Sequence, residues 1–170
     1  LGTEYKNLKF HHKFLLRIFN RFFFAFIACS KCVEEGLTKK GYKNVFLIRH
    51  GINLDQCLNI KKTKTNKYSI CFAGRLIPEK NIPLLTEAIL SLVNKKKITL
   101  SIAGTGSDLS KLKTLTTNFN SSNVIDIHGQ LSRKQVRNMF ASNQFYISLS
   151  KSDGMPIAVL EAIACGCIPI

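Results

Sequence analysis

From Tyr68 onward, apolar runs of five or six residues alternate with stretches whose apolar positions recur every three or four. The runs Tyr68–Ala73, Ile98–Ala103, Val124–His128 and Phe145–Leu149 have the length and apolar content of buried strands. The stretches Ile82–Val93, Asp108–Thr117, Arg133–Ala141 and Ile157–Cys165 repeat with helical period. A further strand begins at Ile168. The punctuation agrees with the periods. Ser132 and Gln135 stand at capping-box spacing, Pro156 suits the first turn of a helix, and Gly166 suits the position just after its end. Strands alternating with helices of this length predict an α/β fold, built of βαβ units on a parallel sheet.

The first third is less regular. Lys6, Lys9, Lys13, Arg17 and Arg21 recur every three or four residues across Tyr5–Arg21, opposite Leu8, Leu15, Ile18, Phe19 and Phe22. This predicts an amphipathic basic helix, suited to an anionic membrane surface or to an ordinary solvated face. Phe22–Ala28 is an apolar run of strand length. Ser30 caps a helix expected over Lys31–Lys39 with Gly41 as its stop, and Val45–Ile48 is a short strand. Arg49–Asp55 reads as a turn-rich loop, and 59–67 as a polar, basic connection. Phe14–Ala28 does not make a transmembrane span. It is short and carries Arg17, Asn20 and Arg21, where a span needs about 20 apolar residues. The same arginines break the apolar core of a signal peptide.

Charge sharpens the division. Residues 1–67 hold 14 Lys/Arg against 4 Asp/Glu, and residues 68–170 hold 11 against 6. The basic first third favours an anionic partner. A nucleic-acid module is not expected, because the Phe cluster is one contiguous apolar run rather than aromatics interleaved with the basic residues. The six cysteines lie mostly in apolar runs, where a free thiol behaves as a small hydrophobe. Only Cys29 and Cys32 have a metal-like spacing, and no second pair matches it, so no metal site is expected. A reducing cytoplasm fits this cysteine usage. The chain lacks an initiating Met and stops within an apolar strand, which reads as a piece of a longer protein.

Candidate chemistry sits after the strands. Gly74-Arg75 and Lys80 follow the first of the regular strands, Gly104-Thr105-Gly106 the second, Gly129-Gln130 the third, and Asp153-Gly154 the fourth. In a parallel sheet these ends share one edge, where open α/β sheets bind ligands. Glycine turns and helix N-termini offer N–H groups to phosphate, and Arg75 and Lys80 offer positive charge. Asp153 and Glu161 suit hydroxyls, because ionised carboxylates only accept hydrogen bonds. Glu161 is the one charge in 157–170 and reads as a carboxylate awaiting a partner. The dinucleotide fingerprint is incomplete, since Leu109 stands where its third glycine belongs, which argues against a dehydrogenase.

Asp153-Gly154-Met155-Pro156, with Glu161-Ala162 and Ala164-x-Gly166, resembles the acidic-pair signature of the retaining GT-B glycosyltransferases of the group 1 family (family 4). Gly74-Arg75-Leu76 with Lys80 resembles that family's donor-phosphate loop, and Ala103–Gly106 its next glycine turn. The resemblance covers roughly 22–170. It implies a Rossmann-like donor domain over 68–170, an interdomain connection over 51–67, and a remnant of the acceptor domain over 1–50. It implies that Arg75 and Lys80 hold the diphosphate of a UDP- or GDP-sugar and that Glu161 accepts from the ribose. Asp153, Gly154, Met155, Pro156 and Ile157 would position the donor sugar, with Gly129, Gln130 and Leu131 beside the base. Asp153 stands where the family usually has Glu. The implied activity is sugar transfer to a glycan or lipid-linked acceptor in surface-polysaccharide synthesis, such as capsule or lipopolysaccharide. No cofactor or divalent metal is implied, because the Arg/Lys pair neutralises the leaving diphosphate. Peripheral contact with the membrane's inner face is expected. The alternatives are an inactive piece that only binds nucleotide-sugar and a basic nucleic-acid-binding module.

Overall fold

The computed structural model describes residues 22, 24–63, 68–92, 97–119, 123–150 and 156–170. The expected basic helix over Tyr5–Arg21 lies outside them, as do Asp153, Gly154 and Met155. Contacts divide the chain into two units, one holding 1–51 with 152–156 and the other 52–151 with 157–170.

In the first unit, β1 (Phe26–Ala28) runs parallel to β2 (Val45–Leu47), with α1 (Lys31–Thr38) between them in the chain. Ser30 has extended backbone, and its hydroxyl accepts from the Val33 N–H at 3.4 Å, so it starts α1 as the sequence predicts. The Phe26 and Tyr42 rings meet edge to face at 5.0 Å.

The second unit opens on α2 (Leu54–Leu58), where the sequence suggested loop and connection. Asn53 caps it by accepting from the Gln56 N–H at 3.1 Å. The helix forms because Cys57 is buried in the core. Five residues are too few for a readable helical period.

The rest alternates as the sequence predicts. In chain order it runs β3 (Tyr68–Ala73), α3 (Ile82–Leu92), β4 (Ile98–Ala103), α4 (Leu109–Asn118), β5 (Ile125–Gly129), α5 (Arg133–Ala141), β6 (Phe145–Tyr146), α6 (Ile157–Ala164) and β7 (Ile168–Pro169). The strands pair in the order β5-β4-β3-β6-β7, and every pair is parallel. Parallel sheets bury both faces, and alternate residues show it. Ile70 and Phe72 of β3 join Leu100 and Ile102 of β4 in a core that includes Ile82, Leu85 and Ile89 of α3 and Leu112 of α4. Cys71 and Ala73 point the other way, into a core with Met139 and Phe140 of α5 and Ala162 of α6. Strand order reverses between β3 and β6, so that is the switch point.

Candidate functional site: a cleft at the strand ends

Three loops meet at the C-terminal edge of the sheet and are tied together by backbone hydrogen bonds. The Gly74 N–H donates to the Ala103 carbonyl (3.0 Å), the Leu76 N–H to the Thr105 carbonyl (2.9 Å) and the Gly104 N–H to the Gly129 carbonyl (2.7 Å). The Asp108 N–H returns to the Leu76 carbonyl at 2.9 Å. So close an approach excludes side chains. A Cβ on Gly104 would collide with the Gly74 carbonyl, and one on Gly106 with the Leu76 carbonyl. These glycines therefore serve backbone-to-backbone packing, whatever the ligand.

The loops enclose a cleft of about 210 Å³, lined by Ala73, Gly74, Arg75, Ala103, Gly104, Thr105, Gln130, Leu131 and Val136. Five residues singled out from the sequence thus line this one cleft: Gly74, Arg75, Gly104, Gln130 and Leu131. Gly129 supports that lining through its carbonyl. Lys80, Ile157 and Glu161 do not line it. Lys80 ends the 3-10 turn Pro78–Lys80, and the next residue, Asn81, has φ 52°. The Asn81 amide donates to the Leu149 carbonyl at 2.9 Å. This bond spans the switch point, joining the loop after β3 to the segment after β6. Ile157 opens α6, where the first turn's N–H groups have no intrahelical acceptor.

Glu161 requires a correction. Arg137 of α5 faces it, with Nη1 3.9 Å from Oε1. The carboxylate is therefore not uncompensated. Its partner lies on another helix, which spacing along α6 does not reveal. Val136 and Arg137 are the residues sequence reasoning missed. The usable signal was the Ser132–Gln135 capping box, which fixes the phase of α5. The box forms as expected, with the Ser132 N–H donating to Gln135 Oε1 at 2.9 Å.

Below the cleft, Tyr146 is buried and its hydroxyl donates to the Ala73 carbonyl at 3.3 Å. The Phe140 ring meets it edge to face at 5.6 Å. Four buried cysteines, Cys57, Cys71, Cys165 and Cys167, pack in the same core. Burial pushes the Cys165 thiol up to about 12, and Cys57 beside it adds to the rise. A hydrogen bond with Cys167 and burial push the Cys71 thiol far above its ordinary range. The Cys71 and Cys167 sulfurs are 4.0 Å apart. However, β6 lies between β3 and β7, so the backbones are roughly 9–10 Å apart at the usual strand spacing, too far for a disulfide.

The family model described as "Glycosyl transferases group 1" matches residues 56–170. An uncharacterized glycosyltransferase of Methanocaldococcus jannaschii is 30% identical over 151 residues, which are 82% of this chain and 38% of that protein. The GtfA subunit of a UDP-N-acetylglucosamine–peptide N-acetylglucosaminyltransferase from Limosilactobacillus reuteri is 31% identical over 115 residues, 67% of this chain and 22% of that protein. The chain therefore spans well under half the length of either relative. Among solved structures, pneumococcal O-GlcNAc transferase GtfA in complex with UDP and GlcNAc superposes with TM-score 0.72 at 22% identity, covering 85% of this chain and 29% of that one. Anabaena HepE in complex with UDP and glucose superposes with TM-score 0.74 at 15% identity, covering 92% and 46%. At these identities the likeness is one of fold, the GT-B-type parallel α/β architecture.

Proposed function

The chain belongs to the glycosyl transferases group 1 family, and we propose that it carries the donor half of an enzyme that moves a sugar from a nucleotide-sugar to a glycan or lipid-linked acceptor. The observation that carries this reading is the convergence of Gly74, Arg75, Gly104, Gln130 and Leu131 on one cleft beside the switch point. Such a cleft suits a nucleoside diphosphate. The Gly74 and Gly104 N–H groups are spent on carbonyls, so the Arg75 guanidinium is the group that matches the phosphate oxygens. Lys80, at the end of the 3-10 turn in the same loop, lies outside the cleft lining and adds a second positive charge to that loop. As the sugar departs, charge grows on the diphosphate, and fixed cations there stabilise the transition state without a divalent metal. Glu161 accepts from the ribose hydroxyls, and Asp153, with the backbone around Gly154, Met155, Pro156 and Ile157, orients the sugar for a retaining transfer. Residues 68–170 form the donor domain, 51–67 lead into it with α2 packed on its core, and 1–50 form the end of the acceptor domain.

Relatives named for UDP-N-acetylglucosamine favour a UDP-sugar over a GDP-sugar. Among the described residues no helix is long and apolar enough to cross a membrane. The basic stretch Lys6–Arg21 supports a peripheral place at the inner face of the membrane, where lipid-linked surface-polysaccharide acceptors would be met.

UDP should raise the melting temperature of the chain. Arg75→Ala should weaken UDP binding by at least about tenfold, the value of a charge-assisted contact to phosphate. UDP and GDP that both leave the melt unchanged, or an Arg75→Ala variant that binds like its parent, would overturn the assignment. A chain that binds nucleotide-sugar without transferring it would show the same binding. Radiolabelled UDP-sugar hydrolysis or transfer, set beside binding, separates the two.

A further inference from the structure

The polar contact between α5 and α6 is incomplete. Arg137 exposes only 11% of its side chain, and Glu161 exposes 24%. Their nearest charged atoms are 3.9 Å apart, close enough to attract and too far to share a hydrogen bond. The Arg137 Nε is buried with no hydrogen-bond partner. Among the described residues no hydrogen bond reaches either oxygen of Glu161. A pair built for stability closes into a bidentate fork, because that geometry offsets the desolvation of both ions. This pair instead keeps the carboxylate's lone pairs uncommitted while opposing its charge.

We propose that Arg137 is a positioning residue that fixes Glu161 against α5, with its oxygens free to accept from the ribose hydroxyls of a nucleoside diphosphate. The inference rests on the reading of Glu161 given above and adds the group through which Glu161 is held. Two effects favour the arrangement. The guanidinium stops the half-buried carboxylate from turning out to water. It also cancels the carboxylate's charge, which would otherwise repel the diphosphate. The capping box at Ser132 sets the phase of α5, and Val136, next to Arg137, lines the cleft. The same turn of helix thus supplies a cleft wall and the partner of Glu161.

The test is calorimetric titration of the full chain with UDP and with 2′,3′-dideoxy-UDP, and with the matching guanosine pair. The parent is compared with Glu161→Gln, Arg137→Met, Arg137→Lys and the Arg137→Met/Glu161→Gln double variant. The parent should prefer the ribose form by at least about tenfold, as hydrogen bonds to a charged acceptor do. Glu161→Gln and Arg137→Met should each lose most of that preference, and Arg137→Lys should keep part of it. The double variant should be no worse than either single one, because coupled groups are not additive. If Glu161→Gln keeps the preference, or the parent shows none, the ribose reading fails and the inference fails with it. If Glu161→Gln loses the preference while Arg137→Met keeps it, only the inference fails. A purely structural Arg137 would weaken both ligands equally and leave their ratio unchanged, which also overturns it. Should Arg137→Met not fold, Arg137→Lys decides: a ratio equal to the parent's counts against the proposal, and a reduced one for it.

Discussion

Replacing Gly104 with Ala tests whether the cleft depends on backbone-to-backbone contact. Gly104 has φ 141°, and its missing Cβ leaves room for the Gly74 carbonyl. An Ala there meets two costs. Backbone strain in this region is worth about 1–3 kcal/mol. Moving the Gly74 loop away also strains two hydrogen bonds, from Gly74 to Ala103 and from Gly104 to Gly129. At about 1 kcal/mol each, with strain included, the total is roughly 3–5 kcal/mol. For a chain of this size each kcal/mol lowers the melting temperature by about 2–4 °C, so the fall should be roughly 6–20 °C. Gly129 provides the internal comparison. Its φ is 68°, but a Cβ there meets nothing within 4 Å, so Gly129→Ala carries strain alone, about 1–2 kcal/mol. Thermal melts by circular dichroism should therefore rank the parent above Gly129→Ala and Gly129→Ala above Gly104→Ala. UDP titration should show the largest loss of affinity in Gly104→Ala, since the Gly74 and Gly104 loops that line the cleft move apart. A Gly104→Ala protein that melts within two or so degrees of the parent, or above Gly129→Ala, refutes the packing argument.

Two further outcomes follow from the core beneath the cleft. Tyr146→Phe removes the donor to the Ala73 carbonyl and should cost about 1 kcal/mol, seen as a fall of a few degrees in the melt; an unchanged or raised melting temperature would show the bond contributes nothing. The Cys165 thiol sits at about 12 in the fold against an ordinary 9.0, so the fold favours its neutral form. That stabilisation is fully present below pH 9 and is lost as pH climbs through the raised value. Melting temperature should fall from about pH 9 upward, and more steeply in the parent than in Cys165→Ala; parallel curves would count against it.

Much of the fold was legible because each regular element carried two agreeing signals. The strand Tyr68–Ala73 and the helix Arg133–Ala141 were read with the bounds they have, from a period confirmed by a cap or a breaker. Where the second signal is missing, the element is not legible in the sequence. Leu54–Leu58 looked like loop because one buried residue, Cys57, cannot establish a period. Phe145–Leu149 looked like a full strand, but regular pairing covers only Phe145 and Tyr146, and the hydrogen bonds beyond them, such as Ile147 to Cys71, belong to a looser continuation.

The chain's own chemistry determined which residues stand at the ends of the parallel strands, because strand and loop positions follow from period and glycine placement. It therefore places Arg75, Gly104 and Gln130 on one edge of the sheet. It also marked Glu161 as a carboxylate in apolar surroundings. Only the tertiary structure decided what those surroundings contain. The residue facing Glu161 comes from α5, more than twenty positions earlier in the chain, and helix-to-helix packing has no local signature in sequence. The same holds for the reach of Asn81 to Leu149 and for the carbonyls packed against Gly104 and Gly106. Local order is written in neighbouring residues, whereas the cleft is made by distant ones that meet only when the sheet closes.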